Sequence, residues 1–160
     1  MGIEAKIDMR EIRDILNRES QKHIHRVIAL LQNVGETTVN EIRASHISNW
    51  NDQSGNLRSS TGYIITMDGK PIQMGKFEKV VGPKPDPDEP DGTQEGRNYA
   101  MQLASLYPNG IALIVVAGME YASYVEKRDN KTVLAQGEIE ARRLVDQMIR
   151  ELNSKTKAGE

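Results

Sequence analysis

His23 and His25 stand two residues apart, the spacing at which a metal pair or an acid–base pair is first sought. In a helix two such residues point about 200° apart around the axis, so they cannot share a metal. His46 has no acidic or histidine neighbour close in sequence. All three read as structural rather than as ligands or proton shuttles. The stretch Asp86-Pro87-Asp88-Glu89-Pro90-Asp91-Gly92 offers oxygen ligands for calcium. It lacks the EF-hand spacing and its twelfth-position glutamate, and its prolines restrict how the carboxylates converge, so a solvated loop is the better reading. Gly92 to Gly96 is not a phosphate loop, because Arg97-Asn98 stand where a lysine and a hydroxyl would follow. Ser54, Ser59 and Ser60 have no nucleophile-elbow frame and no histidine–acid pair to activate them. Glu120 and Glu126 form a possible carboxylate pair, but Lys127 and Arg128 beside them favour an ion pair or an interface contact. No catalytic constellation emerges, and no cofactor or metal site is expected.

The composition narrows the class further. At 160 residues the chain is expected to form one domain over residues 1–153, with 154–160 as a disordered tail. A chain of this length buries roughly 70% of its unfolded surface, so a core forms without staples. The absence of cysteine removes disulfides, thiolate nucleophiles and cysteine zinc sites together, and it suits a reducing compartment. With a formal charge of -2 and a pI near 6.0 there is no basic field to hold a phosphate backbone, so sequence-specific nucleic-acid binding is not expected. The N-terminus shows no basic region followed by an apolar one, so no signal peptide is read there. The apolar run 111–117 is far short of the roughly 20 residues a membrane helix needs, and a soluble intracellular product with no membrane partner is expected.

The elements that position these residues follow from periodicity. Apolar residues from Ile12 to Leu31 fall on one helical stripe over residues 9–33, with Asp8 as N-cap and Gly35 marking the end. A second helix is expected over 36–47, with Val39, Ile42 and His46 on one side; the two either fold as a hairpin or continue with a kink. Residues 48–55 carry turn chemistry. Residues 61–67 read as a strand with Tyr63, Ile65 and Met67 on one face, Asp68-Gly69 as a tight turn, and 70–77 as the returning strand with a bulge at Gly75. Residues 83–96 hold four of the six prolines and a block of acids, and are expected to form an exposed, mobile loop. A helix over 93–107 is expected to bury Tyr99, Leu103, Leu106 and Tyr107. Ile111 to Ala117 reads as a strand covered on both faces. A last helix over 136–152 repeats Ala141, Leu144, Val145, Met148, Ile149 and Leu152 at three- and four-residue steps. The class is α+β: a small, mostly antiparallel sheet packed against long N-terminal helices and a C-terminal helix.

The most informative segment runs from Trp50 through Ser54-Gly55-Asn56-Leu57-Arg58-Ser59-Ser60 to Tyr63, a turn that leads into a strand. About sixty residues later comes Tyr121-Ala122-Ser123-Tyr124-Val125-Glu126. Together they resemble the paired elements of small head–tail joining (tail-completion, neck) proteins of tailed bacteriophages. The motif-level likeness covers these two short stretches, and the layout of helices and hairpin extends it over most of the chain. The resemblance implies that Leu57 is an inward anchor, that Arg58 pairs with an acid or with backbone carbonyls, and that Tyr121, Ala122, Tyr124, Val125 and Glu126 lie at the far side of the sheet. The chain departs from the pattern after Glu126, where Lys127-Arg128-Asp129-Asn130 replace the usual nearby glycine. The helix over 93–107 and its acidic leader also exceed the smallest members.

On that resemblance the expected product is a non-catalytic virion structural protein of a tailed phage or prophage, assembled in the bacterial host cytoplasm. It would form a ring of six or twelve copies at the neck or head-proximal tail end. Its partners would be itself and other neck, connector or tail-tube proteins, with Asp86, Asp88, Glu89 and Asp91 as a candidate interface loop. The alternatives are an adaptor or regulatory domain acting through that loop, or a small hydrolase joining Tyr121, Glu120 or Glu126 with Arg58 or a histidine.

Overall fold

The computed structural model describes residues 8–44, 52–119 and 134–157. Among the described residues the elements follow in the order α1 (Met9–Ala44), α2 (Asn56–Ser59), β1 (Thr61–Met67), β2 (Lys70–Lys76), α3 (Gly92–Ala104), β3 (Ile111–Ala117) and α4 (Ala135–Lys157). The strands described form one antiparallel sheet in the order β2-β1-β3. The α+β class read from the sequence is the one observed.

β1 is the centre of the molecule. Tyr63, Ile64 and Ile65 are all fully buried and alternate between the two faces of the sheet. On one face Ile64 joins Phe77, Ile114, Val116, Ala100 and Ala104, so α3 covers it. On the other, Tyr63 and Ile65 join Leu31 and Val39 of α1, with Met148 of α4 packed against the cluster. Burying side chains of this size contributes about 1.5–3 kcal/mol each. β1 is thus buried on both faces, and β3 is covered on both as well, by α3 over Ile114 and Val116 and on the α1 side over Ile111, Leu113 and Val115. β3 is an edge of the sheet among the described residues, and its α1-facing Ile111, Leu113 and Val115 are only half-buried.

α1 is a single helix of 36 residues, not two, and no break occurs at Gly35. Asp8 caps it, accepting from the Arg10 N–H at 2.8 Å. Gly35 is inside the helix because the Tyr63 ring lies on it: a Cβ there would stand 2.7 Å from the ring's Cγ. Only the C-terminal half of α1 packs on the body. Residues 8–23 are exposed throughout, Ile12, Ile15 and Leu16 included. His23 and His25 lie on exposed positions of α1; His46 is outside the described residues.

The hairpin turns at Asp68-Gly69, whose φ values of 51° and 74° are those of the mirror-image turn that matches strand twist. The bulge is not at Gly75, which pairs in register with Tyr63. The register shift falls between Ile65 and Thr66, opposite Gln73 and Pro71. Alternation breaks instead at Lys76 and Phe77, both left-handed with φ 70° and 40°. That double reversal sends Lys76 to Glu36 of α1 and Phe77 into the α3-side core.

α3 also differs from expectation. It spans Gly92–Ala104, and its buried stripe is Gly92, Gly96, Ala100 and Ala104 rather than the large residues. Tyr99, Leu106 and Tyr107 are exposed, and Leu103 alone of the expected four packs on the core. α4 runs to Lys157, past the point where the sequence predicts fraying.

Candidate functional site

Residues 52–61 build a compact knot where four chain segments meet. Its centre is the Asp52 carboxylate, almost completely buried. Oδ1 accepts from the backbone N–H groups of Gly55 (3.1 Å) and Leu57 (3.3 Å), and Oδ2 accepts from that of Arg58 (2.9 Å). An acid at this point satisfies the orphan donors of the α2 turn and complements its dipole. Gly55 enters α2 at φ 87°, and a Cβ there would collide with the Val80 carbonyl.

The three hydroxyls that follow close the other end of the turn. Ser59 Oγ donates to the Gly55 carbonyl at 2.7 Å and accepts from the Val80 N–H at 2.8 Å. Ser60 Oγ donates to the Leu57 carbonyl at 2.8 Å and accepts from the Gly118 N–H at 3.1 Å, just beyond β3. Thr61 Oγ1 donates to the same Leu57 carbonyl at 2.9 Å. Leu57 is 1% exposed, the inward anchor that the resemblance implies. Gly96 of α3 lies so close to Ser60 that a methyl group at 96 would meet the Ser60 carbonyl, and Gly118 packs on Gly96 in turn. The knot thus joins α2, the segment after β2, the start of α3 and the end of β3.

A second arginine, Arg43 in the last turn of α1, also reaches the knot and its backbone carbonyls. Its Nε donates to the Arg58 carbonyl at 3.1 Å, one terminal nitrogen donates to the Glu78 carbonyl at 3.0 Å, and the other pairs with the Glu78 carboxylate at 3.2 Å. Burial pulls the Arg43 guanidinium below its ordinary pKa against the opposing pull of Glu78. The cation at the helix C-terminus also complements the dipole.

The acidic loop is tied to this knot. Asn56 Nδ2 donates to Glu89 Oε2 at 2.9 Å, and Asn56 Oδ1 accepts from the Gly92 N–H at 3.2 Å. Asp91 is the N-cap of α3, accepting from the Thr93 N–H at 2.8 Å and the Thr93 hydroxyl at 2.7 Å. Those bonds, the hydroxyl's first, hold the Asp91 carboxyl below its usual pKa, with Lys79 adding to them. Asp86 accepts from the Asp88 N–H at 2.9 Å in a local turn, and both are exposed. Residues 92–96 are therefore the first turns of α3, not loop, and of the four acids Glu89 is the one bonded to a distant segment, through Asn56. A cavity of about 430 Å³ lies between the loop and the knot, with Ser54, Asn56, Lys79, Glu89 and Asp91 on its walls.

A second polar network joins α1 to the sheet. Tyr63 Oη donates to Glu36 Oε1 at 2.8 Å, and Lys76 Nζ pairs with Glu36 Oε2 at 2.9 Å. Burial drives the Tyr63 phenol well above its ordinary pKa, and the bond to Glu36 adds to it. Burial alone would raise Glu36, but hydrogen bonds from Lys76 and Tyr63 outweigh it and the carboxyl is lowered.

Of the residues singled out in the sequence, Gly55, Leu57, Arg58 and Ser60 come together in the knot, with Glu89 and Asp91 at its edge. Trp50, Tyr121, Ala122, Tyr124, Val125 and Glu126 lie outside the described residues, as does Glu120. Sequence reasoning missed Asp52, Asn56 and Arg43. Asp52 and Asn56 had a signal in their turn-forming type beside Gly55; Arg43 had only its place near a helix end. Chemically, the knot spends its carboxylate and hydroxyls on backbone N–H and C=O groups, which fixes shape and prepares no nucleophile. Comparison with protein-family models, with curated proteins and with solved structures found no match.

Proposed function

We propose that this chain is a virion structural protein of a tailed bacteriophage or prophage, forming a ring at the neck or head-proximal tail end that joins head to tail. The supporting observation is the 52–61 knot. The segment that carries the resemblance to head–tail joining proteins is built as architecture: Gly55 turns the chain, Leu57 anchors it, and Ser59 and Ser60 stitch it to neighbouring segments. A protein that works by shape needs such a rigid entry into its central strand, and it leaves function to its outer surfaces. Identical subunits packed head-to-tail close into a ring around a channel. The weakly negative chain suits a channel that DNA traverses without being gripped.

In this reading the partners are further copies of the chain and the adjoining neck, connector or tail-tube proteins, in a particle assembled in the bacterial cytoplasm. Mass spectrometry of purified particles tests it, with cryo-electron microscopy to locate the subunit. The expected result is a fixed, small copy number per particle and ring density at the head–tail junction. Absence of the protein from particles with intact necks contradicts it.

A further inference from the structure

We infer that the N-terminal half of α1 is a self-association arm, which pairs in parallel with the same segment of a second copy of this chain. Residues 9–23 form helix with no residue buried. A helical stretch of about that length is marginal in water without tertiary support. Met9, Ile12, Ile15 and Leu16 are large apolar residues exposed along it, with Met9 and Leu16 more than 60% open.

The spacing of these residues specifies the kind of partner. Met9, Ile12 and Leu16 follow the three–four step of a coiled-coil seam, occupying a, d and a positions. Asp8 then falls at g and Arg13 at e, both exposed. In a parallel pair, the g residue of one helix faces the e residue of the next heptad on the other. Asp8 therefore meets the second copy's Arg13, and by symmetry the contact occurs twice. An antiparallel pair would instead set Arg13 beside Arg13. The segment 8–22 carries four acids and four bases, so its charges cancel, and a nucleic acid or a strongly acidic peptide gains nothing from it.

The parallel direction rests on the Asp8–Arg13 match, and the contact is isologous: it joins copies in pairs and is separate from the head-to-tail contact of the proposed ring. The seam stops at Glu19, the next d position, so it spans only about two turns. A pair this short is weak by itself, so association is expected at high protein concentration.

The test uses the full chain, whose lack of cysteine makes single-cysteine cross-linking clean. Ile12→Cys places thiols face to face at a d position, whereas Asp14→Cys, on the outer f position, does not. Under mild oxidation Ile12→Cys is expected to form covalent dimers at least tenfold faster than Asp14→Cys. Charge reversal supplies the second readout, by sedimentation at high concentration. The D8R and R13E chains should each associate less than the wild type, and an equimolar mixture should recover association. Recovery cannot come from helix capping, which D8R loses either way. Equal cross-linking at positions 12 and 14, or a mixture no better than its components, overturns the inference. Absence of the protein from particles would remove the neck reading and leave these two measurements standing.

Discussion

Tyr63 and Gly75 stand directly opposite each other across β1 and β2, and the phenol ring occupies the space a side chain at 75 would need. A Cβ on Gly75 would lie 2.5 Å from Cε1, Cζ and Oη of Tyr63. The Cγ end of the same ring meets Gly35 of α1. Two glycines on two elements thus let one aromatic reach through to Glu36.

Gly35→Ala tests that packing by sign. In an ordinary helix interior the change stabilises by about 1 kcal/mol. Here the added methyl meets the Tyr63 ring, and overpacking of this kind costs about 1–3 kcal/mol. Urea unfolding should show a lower midpoint for both Gly35→Ala and Gly75→Ala. A rise for Gly35→Ala would mean that the ring is not seated there.

The Glu36 network predicts an acid-sensitive element of stability. The folded pKa of Glu36 lies below its ordinary value of 4.5, so its contribution is present above that value. It is lost as pH falls through the lower folded pKa. Glu36→Gln should therefore lower the urea midpoint at neutral pH, and the gap to wild type should narrow as pH falls below 4.5. A gap that stays constant across that range would remove Glu36 as the titrating group.

Much of this fold is legible in the sequence where large apolar residues do the burying. The Asp68-Gly69 turn and the limits of β3 follow from turn chemistry and an unbroken apolar run, and both stand as read. The reading fails where small residues make the contact. α3 turns Gly92, Gly96, Ala100 and Ala104 inward: the knot's backbone approaches the two glycines too closely for any side chain, and the two alanines pack on the sheet, so hydrophobicity pointed to Tyr99 and Leu106 instead. Gly35 reads as a helix end for the same reason: the partner that makes glycine necessary there, Tyr63, lies 28 residues away in sequence (63 minus 35). In the knot, Gly55 and Leu57 are visible as turn and anchor. The donors that make Asp52 its centre depend on a tertiary arrangement that no local pattern encodes.

Asp52→Ala should be among the most damaging single changes in the chain. It strands three backbone N–H groups at a nearly fully buried position. A loss of about 2–3 kcal/mol is expected, since each buried unsatisfied donor costs about 1–3 kcal/mol and the loop relaxes in part. Thermal unfolding measures it. A change under about 0.5 kcal/mol, the range of ordinary surface substitutions, would show the carboxylate is not the keystone of the turn.

Asn56→Ala should release the acidic loop from the knot. Asn56 holds Glu89 and the Gly92 N–H at once. Hydrogen exchange at Gly92 should quicken in the variant, while exchange in β1 stays slow because the sheet does not use these bonds. Unchanged exchange at Gly92 would mean the loop is held by other contacts.

The most direct measurement for the proposed role is electron microscopy of lysates from the phage or induced prophage with the gene deleted. Filled heads and free tails that fail to join, restored by supplying the chain in trans, is the predicted result. Normal, infectious, tail-bearing particles made without the protein would contradict it.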